Sequence, residues 1–281
     1  MKIAIIGSGT MACGIAQVLL NSEQVNKLVI VTRNEEKSYL VKKNCEKQLS
    51  RLVKKGKISE HQAVVNKGKL FLSNSYNDLE NSEIIIEAIT ENFSVKKELF
   101  EEIKPFVNSN TIIASNTSSL SITAFSSVFD NPENMVGLHF FNPAPVMELV
   151  EIVGGHVTSE MVVRKLISFT KSFGKSPVVV NEAPGFVVNR MLIPMINEAV
   201  SILAEGVASA DDIDQAMKFG AHHPMGPLAL ADLIGNDVNL SIMETLYSET
   251  GDPKYRAHPL LRKMVRANHL GRKTKKGFFE Y

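Results

Sequence analysis

Cysteine is nearly absent from this sequence, which contains only Cys13 and Cys45. The two residues lie far apart in the chain and do not have the spacing of metal ligands, so the sequence predicts neither a metal site nor a disulfide framework. This sparse use of cysteine favours a reducing compartment, and we expect a cytoplasmic protein.

An excess of charge of one sign is also lacking. Lys plus Arg number 31 and Asp plus Glu number 30, which gives a formal net charge of +1. No chain-wide field can therefore hold nucleic acid or an anionic membrane, and any phosphate site must be local. The apolar N-terminal segment, with its central glycines, does not have the pattern expected of a signal peptide, and no uncharged apolar run of about 18 residues follows it. We expect a soluble, unprocessed protein that binds neither nucleic acid nor membrane.

Short apolar runs alternate with amphipathic segments through the first two thirds of the chain. The runs are KIAIIG, KLVIVT, KLFLS, EIIIEA, TIIAS, NMVGLHF, VMELVEIV and SPVVV. Segments of helical length and spacing separate several of them, at 11–21, 35–55, 94–106 and 159–173. This alternation is typical of an α/β fold, and it predicts an N-terminal Rossmann-type domain with a doubly wound, mostly parallel sheet.

The pattern becomes purely helical in the last third of the chain. After Pro184 and Gly185, apolar residues recur at helical spacing over 186–204, 210–219, 228–233, 237–248 and 259–267. We predict a dinucleotide-binding domain over residues 1–183 and a smaller all-α domain over 184–281 for substrate binding and dimerisation. Because so small an apolar domain is unlikely to bury all its surface alone, we expect a homodimer formed through it.

A glycine-rich loop follows the first strand and leads directly into a helix. Its residues are Gly7, Ser8, Gly9, Thr10, Met11 and Ala12. In this context the first glycine permits a tight turn, the second allows backbone to approach a pyrophosphate, and the small last residue packs against the strand. The helix N-terminus then offers N–H groups to the phosphates. We predict that the loop binds a dinucleotide cofactor.

The end of the second strand indicates which dinucleotide is used. An NAD-binding domain normally carries an acid here for the adenosine ribose, whereas this chain has Thr32, Arg33 and Asn34. Thr32 can donate a hydrogen bond to a 2′-phosphate and Arg33 can make bidentate contacts with it. We predict that NADP(H) is preferred over NAD(H).

Polar groups follow further apolar runs at three places. These are the segments SNTSS with Ser118, HFFNP with His139, and PGFVVNR with Asn189. The carboxyl ends of parallel strands form the binding edge of an α/β sheet, so we expect Ser118 and His139 to face the same cleft as the nicotinamide. An imidazole is suited to take a proton from a secondary alcohol while hydride leaves for the cofactor.

These segments, together with GSGTMACGIAQ and ELVEIV in the same order, resemble the 3-hydroxyacyl-CoA dehydrogenase family over essentially the whole chain. The resemblance is closest to bacterial 3-hydroxybutyryl-CoA members. It implies an oxidoreductase that interconverts a 3-hydroxyacyl-CoA and a 3-oxoacyl-CoA, with His139 as general base or acid and Glu151 as its carboxylate partner. Glu148 is the other acid nearby, and only the resemblance favours Glu151. The same resemblance implies that Ser118 and Asn189 hydrogen-bond the substrate oxygens.

Further positions match the family's cofactor and substrate sites. The resemblance implies cofactor roles for Glu91, Lys96, Asn142 and Lys273. The basic segment 51–57 matches the part of the family that holds CoA phosphates. Gln48 and Lys55 would bind the acyl-CoA, and Lys55 is the better candidate because relatives often have serine where this chain has Gln48.

Two other functions remain open from the residues. One is a related dehydrogenase that acts on a free 3-hydroxy or 3-oxo acid or on an imine, in which case the lysines near residue 55 would have no CoA to meet. The other is a non-enzymatic protein that retains nucleotide binding.

Overall fold

The computed structural model describes every residue from Met1 to Tyr281. Contacts divide the chain into two compact units, Met1–Glu182 and Ala183–Tyr281. All strands belong to the first unit: β1 Lys2–Ile6, β2 Lys27–Val31, β3 Leu70–Ser73, β4 Ile84–Glu87, β5 Ile112–Ser115, β6 Met135–Phe140, β7 Leu149–Gly154 and β8 Ser176–Asn181. Each predicted apolar run thus contains one strand.

The eight strands form one sheet in the order β3-β2-β1-β4-β5-β6-β7-β8. Every neighbouring pair is parallel except β6 and β7, which are antiparallel. The chain winds outward on both sides of β1, so the sheet has a topological switch point between β1 and β4, where ligands bind in such folds. The predicted doubly wound, mostly parallel sheet is confirmed.

Six α-helices connect these strands. They are α1 Thr10–Leu19, α2 Glu35–Lys54, α3 Glu60–Gly68, α4 Phe93–Ile103, α5 Ile122–Ser126 and α6 Glu160–Ser172. Four of them match the predicted segments to within three residues, whereas α3 and α5 were not predicted because they are short. Asn34 caps α2 by accepting from Lys37 N at 3.0 Å, and acidic first-turn and basic last-turn residues complement the dipole of this helix.

The core of the first unit lies between the sheet and the helices that cover it. Ile3 and Ile5 of β1 and Ile15 and Leu19 of α1 are fully buried, and they share one apolar cluster with residues of β2, β4, β6 and α6. Burial of each such side chain contributes about 1.5–3 kcal/mol. The central strands are therefore held firmly, and their carboxyl ends form a stable edge for a binding site.

The second unit is all-α, as predicted. Its helices are α7 Val188–Ala204, α8 Ala210–Gly220, α9 Pro227–Ile234, α10 Asn236–Thr250 and α11 Pro259–Arg266. Two buried carboxylates in this unit accept backbone hydrogen bonds. Asp214 accepts from Leu228 N at 2.8 Å, at the start of α9. Asp232 accepts from Phe278 N at 3.0 Å, near the C-terminus. None of the helices in the chain combines the length and apolarity that a membrane span requires.

Candidate active site

The glycine-rich loop connects β1 to α1 at the switch point of the sheet. Gly7 has φ +136°, and a Cβ atom there would lie 2.5 Å from the carbonyl oxygen of Ala88. Only glycine fits this position. Gly9 caps α1 without a side chain, which leaves the first-turn N–H groups available to a ligand. The loop therefore has the close backbone approach and the free donors that a pyrophosphate needs.

A groove of about 880 Å³ opens beside this loop. We call it the glycine-loop groove; its walls include residues 7–11, the end of β2 at Thr32 and Arg33, and the segment 88–90 after β4. No acidic residue follows β2 directly, because the chain continues from Thr32 to Arg33 and Asn34. Arg33 is exposed at the groove. Arg33 supplies a cation to the wall of this groove, and Glu98 and Glu102 supply acids to it.

The hydroxyl of Thr32 is engaged within the protein, which differs from the sequence-based expectation that it donates to a phosphate. Thr32 is buried, and its Oγ1 lies 3.0 Å from the carbonyl of Asn34 and 2.7 Å from Ser38 Oγ. Asn74 Nδ2 also donates to Thr32 Oγ1, at 3.1 Å. A hydroxyl has one proton, and these neighbours already use the donor and acceptor capacity of Thr32. Thr32 therefore shapes the loop that carries Arg33.

A second groove, of about 760 Å³, lies on the other side of the glycine-rich loop. We call it the basic groove. Arg51, Lys55 and Lys57 supply three cations to its wall, and Gln48 lines it on the same face of α2. The segment 143–146 provides an apolar wall. Ser8, Gly9 and Thr10 line both grooves, so ligands bound in the two grooves would approach each other at the loop.

His139 and Glu151 face each other across the antiparallel pair of β6 and β7. His139 Nδ1 lies 2.8 Å from Glu151 Oε2, and both side chains are buried. A carboxylate at this distance can accept the Nδ1 proton in a hydrogen bond, which fixes the orientation of the imidazole ring. Glu148 is exposed and precedes the strand. The structure therefore pairs His139 with Glu151 rather than with Glu148.

Ser118 belongs to a network centred on Glu91. Glu91 Oε1 accepts from Thr117 Oγ1 at 2.7 Å, from Ser118 N at 2.7 Å and from Ser118 Oγ at 3.1 Å. Lys96 Nζ lies 3.3 Å from Glu91 Oε2. Burial raises the pKa of Glu91, but the Lys96 ammonium and these donated hydrogen bonds outweigh burial and hold the pKa below its usual range. Glu91 is thus an anion fixed beside Ser118.

Three other predicted site residues do not line the glycine-loop groove. Asn142 lines the basic groove rather than the glycine-loop groove. Asn189 is the second residue of α7, in the second unit, and is partly exposed. Lys273 also belongs to the second unit, where its Nζ lies 2.6 Å from Asp237 Oδ2. The functions assigned to these residues stay predictions.

Sequence reasoning missed two polar residues around the site. Asn116 Oδ1 accepts from Phe140 N at 2.9 Å, which ties the segment after β5 to the strand that carries His139. Glu87 is the last residue of β4 and is completely buried. A single acid at the end of the apolar run IIIE was the available signal for Glu87, since ionised residues are rarely buried without a partner.

Comparison with known proteins gives full-length matches. A family model described as "3-hydroxyacyl-CoA dehydrogenase, NAD binding domain" matches residues 2–183, and one described as "3-hydroxyacyl-CoA dehydrogenase, C-terminal domain" matches residues 185–281. A 3-hydroxybutyryl-CoA dehydrogenase of Clostridioides difficile is 49% identical over 281 residues, which is 100% of this chain and 99% of the relative. A probable 3-hydroxybutyryl-CoA dehydrogenase of Bacillus subtilis is 45% identical and covers 100% of this chain and 97% of the relative. The crystal structure of (S)-3-hydroxybutyryl-CoA dehydrogenase from Ralstonia eutropha superposes with a TM-score of 0.95 at 45% identity, covering 100% of this chain and 98% of the other.

Proposed function

The chain belongs to the 3-hydroxyacyl-CoA dehydrogenase family and is an NAD(P)-dependent oxidoreductase, and on that premise we propose that it interconverts 3-hydroxybutyryl-CoA and acetoacetyl-CoA with NADP(H) preferred. The observation that carries this proposal is the buried pair of His139 and Glu151, 2.8 Å apart, in a unit whose two grooves share the glycine-rich loop.

His139 is the proposed general base of the oxidation. Glu151 holds the Nδ1 proton, so Nε2 accepts the proton of the substrate hydroxyl, and the carboxylate stabilises the imidazolium that forms. In the reverse direction the imidazolium returns this proton to the substrate oxygen. The bound nicotinamide cofactor supplies the chemistry that the chain lacks, because it accepts or donates the hydride.

Ser118 and Asn189 are the proposed contacts for the substrate oxygens. Ser118 offers a hydroxyl that Glu91 holds at 3.1 Å, and it follows β5 at the sheet edge next to β6. Asn189 would contribute its amide from the start of α7. We also retain the proposed cofactor roles of Glu91, Lys96, Asn142 and Lys273. Because the Ser118 hydroxyl donates its proton to Glu91, Ser118 Oγ would accept a hydrogen bond from the substrate hydroxyl, and the Asn189 amide would donate to the substrate oxygen.

The basic groove is the proposed site of the CoA moiety. Arg51, Lys55 and Lys57 give it three cations, which suits the phosphates of CoA, and its apolar wall suits a pantetheine chain. A free 3-oxo acid or an imine carries no phosphate for these cations to bind. We therefore expect free CoA to compete with the substrate, and we expect Lys55→Ala to raise KM for acetoacetyl-CoA without changing KM for the cofactor.

Preference for NADP(H) rests on Arg33. The end of β2 carries no acid to repel a 2′-phosphate, and the exposed Arg33 at the glycine-loop groove can bind one. A charge-assisted contact of this kind is worth about 1.5–3 kcal/mol, or roughly ten- to a hundredfold in affinity. The test is the initial rate of acetoacetyl-CoA reduction with NADPH and, separately, with NADH. Equal rates at equal subsaturating concentrations would refute the preference and leave the reaction intact.

We propose a homodimer formed through the second unit, which we equate with the predicted domain 184–281. The helical unit exposes large apolar side chains, among them Met191 at 72%, Val207 at 69% and Phe219 at 73%, and contact with a second copy would remove such side chains from water. A monomer mass in solution that does not change with concentration would contradict the dimer. We also propose a cytoplasmic location, consistent with the two free thiols.

A further inference from the structure

The buried carboxylate of Glu87, which the mechanism above does not use, is the centre of a charged network. Glu87 is fully buried. Its Oε1 accepts from Lys96 Nζ at 2.5 Å and from Ile89 N at 2.7 Å, and its Oε2 accepts from Ser115 Oγ at 2.6 Å. A buried carboxylate is strongly unfavourable unless it is paired in this way. Glu87 therefore fixes the position of each group that donates to it.

Lys96 extends this network toward the active site. Its ammonium is 1% exposed and lies between two carboxylates, 2.5 Å from Glu87 Oε1 and 3.3 Å from Glu91 Oε2. Glu91 in turn accepts from the backbone N–H and the hydroxyl of Ser118. A continuous chain of contacts thus runs from Glu87 through Lys96 and Glu91 to Ser118.

The segment after β5 is held at several points by this arrangement. Glu87 accepts from Ser115, the last residue of β5, and Glu91 accepts from Ser118 three residues later. Between them, Asn116 accepts from Phe140 N, the residue after His139. Hydrogen bonds to the Glu87 and Glu91 carboxylates therefore hold this segment on one side, and the hydrogen bond to β6 holds it on the other. Together they set the orientation of Ser118 at the sheet edge.

We propose that Glu87 is a positioning residue for the dehydrogenase reaction. With Lys96 it fixes Glu91, and through Glu91 it orients the backbone N–H and hydroxyl of Ser118. Being fully buried, Glu87 does not touch the substrate and acts only through its neighbours. This inference rests on the substrate-binding role proposed above for Ser118.

The test is a double-mutant cycle on kcat for acetoacetyl-CoA reduction, using Glu87→Gln, Ser118→Ala and the double variant. Glutamine has nearly the size of glutamate, but it removes the charge and replaces one acceptor oxygen with an NH2 donor, so Lys96 is free to move toward Glu91. We expect Glu87→Gln to lower kcat about tenfold in the native background, since a displacement of about 1 Å in a positioning group can cost more than that. In the Ser118→Ala background we expect less than a twofold effect, because the two residues act in one chain.

Asp214→Asn is the matched control. Asp214 is a buried carboxylate in the second unit that accepts from Leu228 N and Ala229 N at 2.8 and 2.9 Å, and its replacement should lower Tm while leaving the effect of Ser118→Ala on kcat unchanged. If Glu87→Gln does not fold, Ser115→Ala removes one donor from Glu87 and should show the same dependence on Ser118 with a smaller effect.

The possible results distinguish the proposed substrate-binding role of Ser118 from the inference about Glu87. If Ser118→Ala lowers kcat and Glu87→Gln has the same effect in both backgrounds, the role of Ser118 stands and the inference about Glu87 is refuted. If Ser118→Ala leaves kcat unchanged, both the proposed role of Ser118 and the inference fail. An unchanged kcat in Glu87→Gln also refutes the inference.

Discussion

Replacement of Glu151 by glutamine tests the central pair of the proposed mechanism. In the native protein the Glu151 carboxylate lies 2.8 Å from His139 Nδ1. A hydrogen bond to a charged group is worth about 1.5–3 kcal/mol, and about 1.4 kcal/mol corresponds to a tenfold change in rate. Loss of the charge should therefore lower kcat roughly ten- to a hundredfold. A glutamine amide can also donate to Nδ1, which would place the proton on Nε2 and deepen the loss.

The assay is the initial rate of NADPH oxidation with saturating acetoacetyl-CoA, together with the affinity for NADPH in the absence of substrate. We expect kcat to fall and cofactor affinity to stay within about twofold, since Glu151 contacts the imidazole of His139. Glu148→Gln is the matched control because Glu148 is exposed and lies three residues before Glu151. A kcat for Glu151→Gln within threefold of the native value, with an unchanged Tm, would refute the role of the pair.

Three further predictions concern the cofactor loop, the cofactor and the buried thiol. Gly7→Ala should lower the unfolding free energy measured in urea by about 1–3 kcal/mol and weaken cofactor binding, because φ of Gly7 is +136° and a Cβ would overlap the Ala88 carbonyl. Gly68→Ala is the control: its Cβ meets open space in α3, so it should change neither stability nor cofactor binding. Equal effects of the two substitutions would contradict this reasoning. Arg33→Ala should raise KM for NADPH about tenfold or more and leave KM for NADH unchanged; a parallel rise in both would remove the assignment of Arg33. Burial raises the pKa of the Cys45 thiol to about 12, so the unfolded chain ionises first as the pH rises, and stability present below about pH 9 is lost between there and about pH 12. With an unfolded pKa of about 9, this loss is about 1.4 kcal/mol at pH 10, and the fall in unfolding free energy between pH 8 and pH 10 in urea should be smaller by that amount in Cys45→Ala.

Much of the first unit could be predicted from local patterns. Each apolar run became a strand because β-branched residues suit a buried parallel sheet, and Gly7 marked a turn where no Cβ fits. The short helices α3 and α5 could not be predicted, because nine and five residues give too few repeats to establish a helical period.

The role of Thr32 shows where local chemistry was insufficient. A threonine after β2 can donate to a phosphate, but the sequence does not reveal that Ser38 and Asn74 converge on its hydroxyl. These partners are six and 42 residues away in the chain. Whether these residues occupy the hydroxyl of Thr32 depends on tertiary packing. Because they do, Arg33 is left as the proposed contact for the 2′-phosphate.

The sequence by itself determined the α/β architecture and the glycine-rich loop, because both depend on local propensity and local backbone geometry, and its motifs identified the family by resemblance. Only the tertiary structure decided which acid meets His139, since that choice follows from the antiparallel register that sets Glu151 opposite it. Tertiary packing likewise brought Glu87 to Lys96 and Lys96 to Glu91. Such pairings form because a buried charge must find its partner in space, and the distance along the chain does not limit where that partner lies.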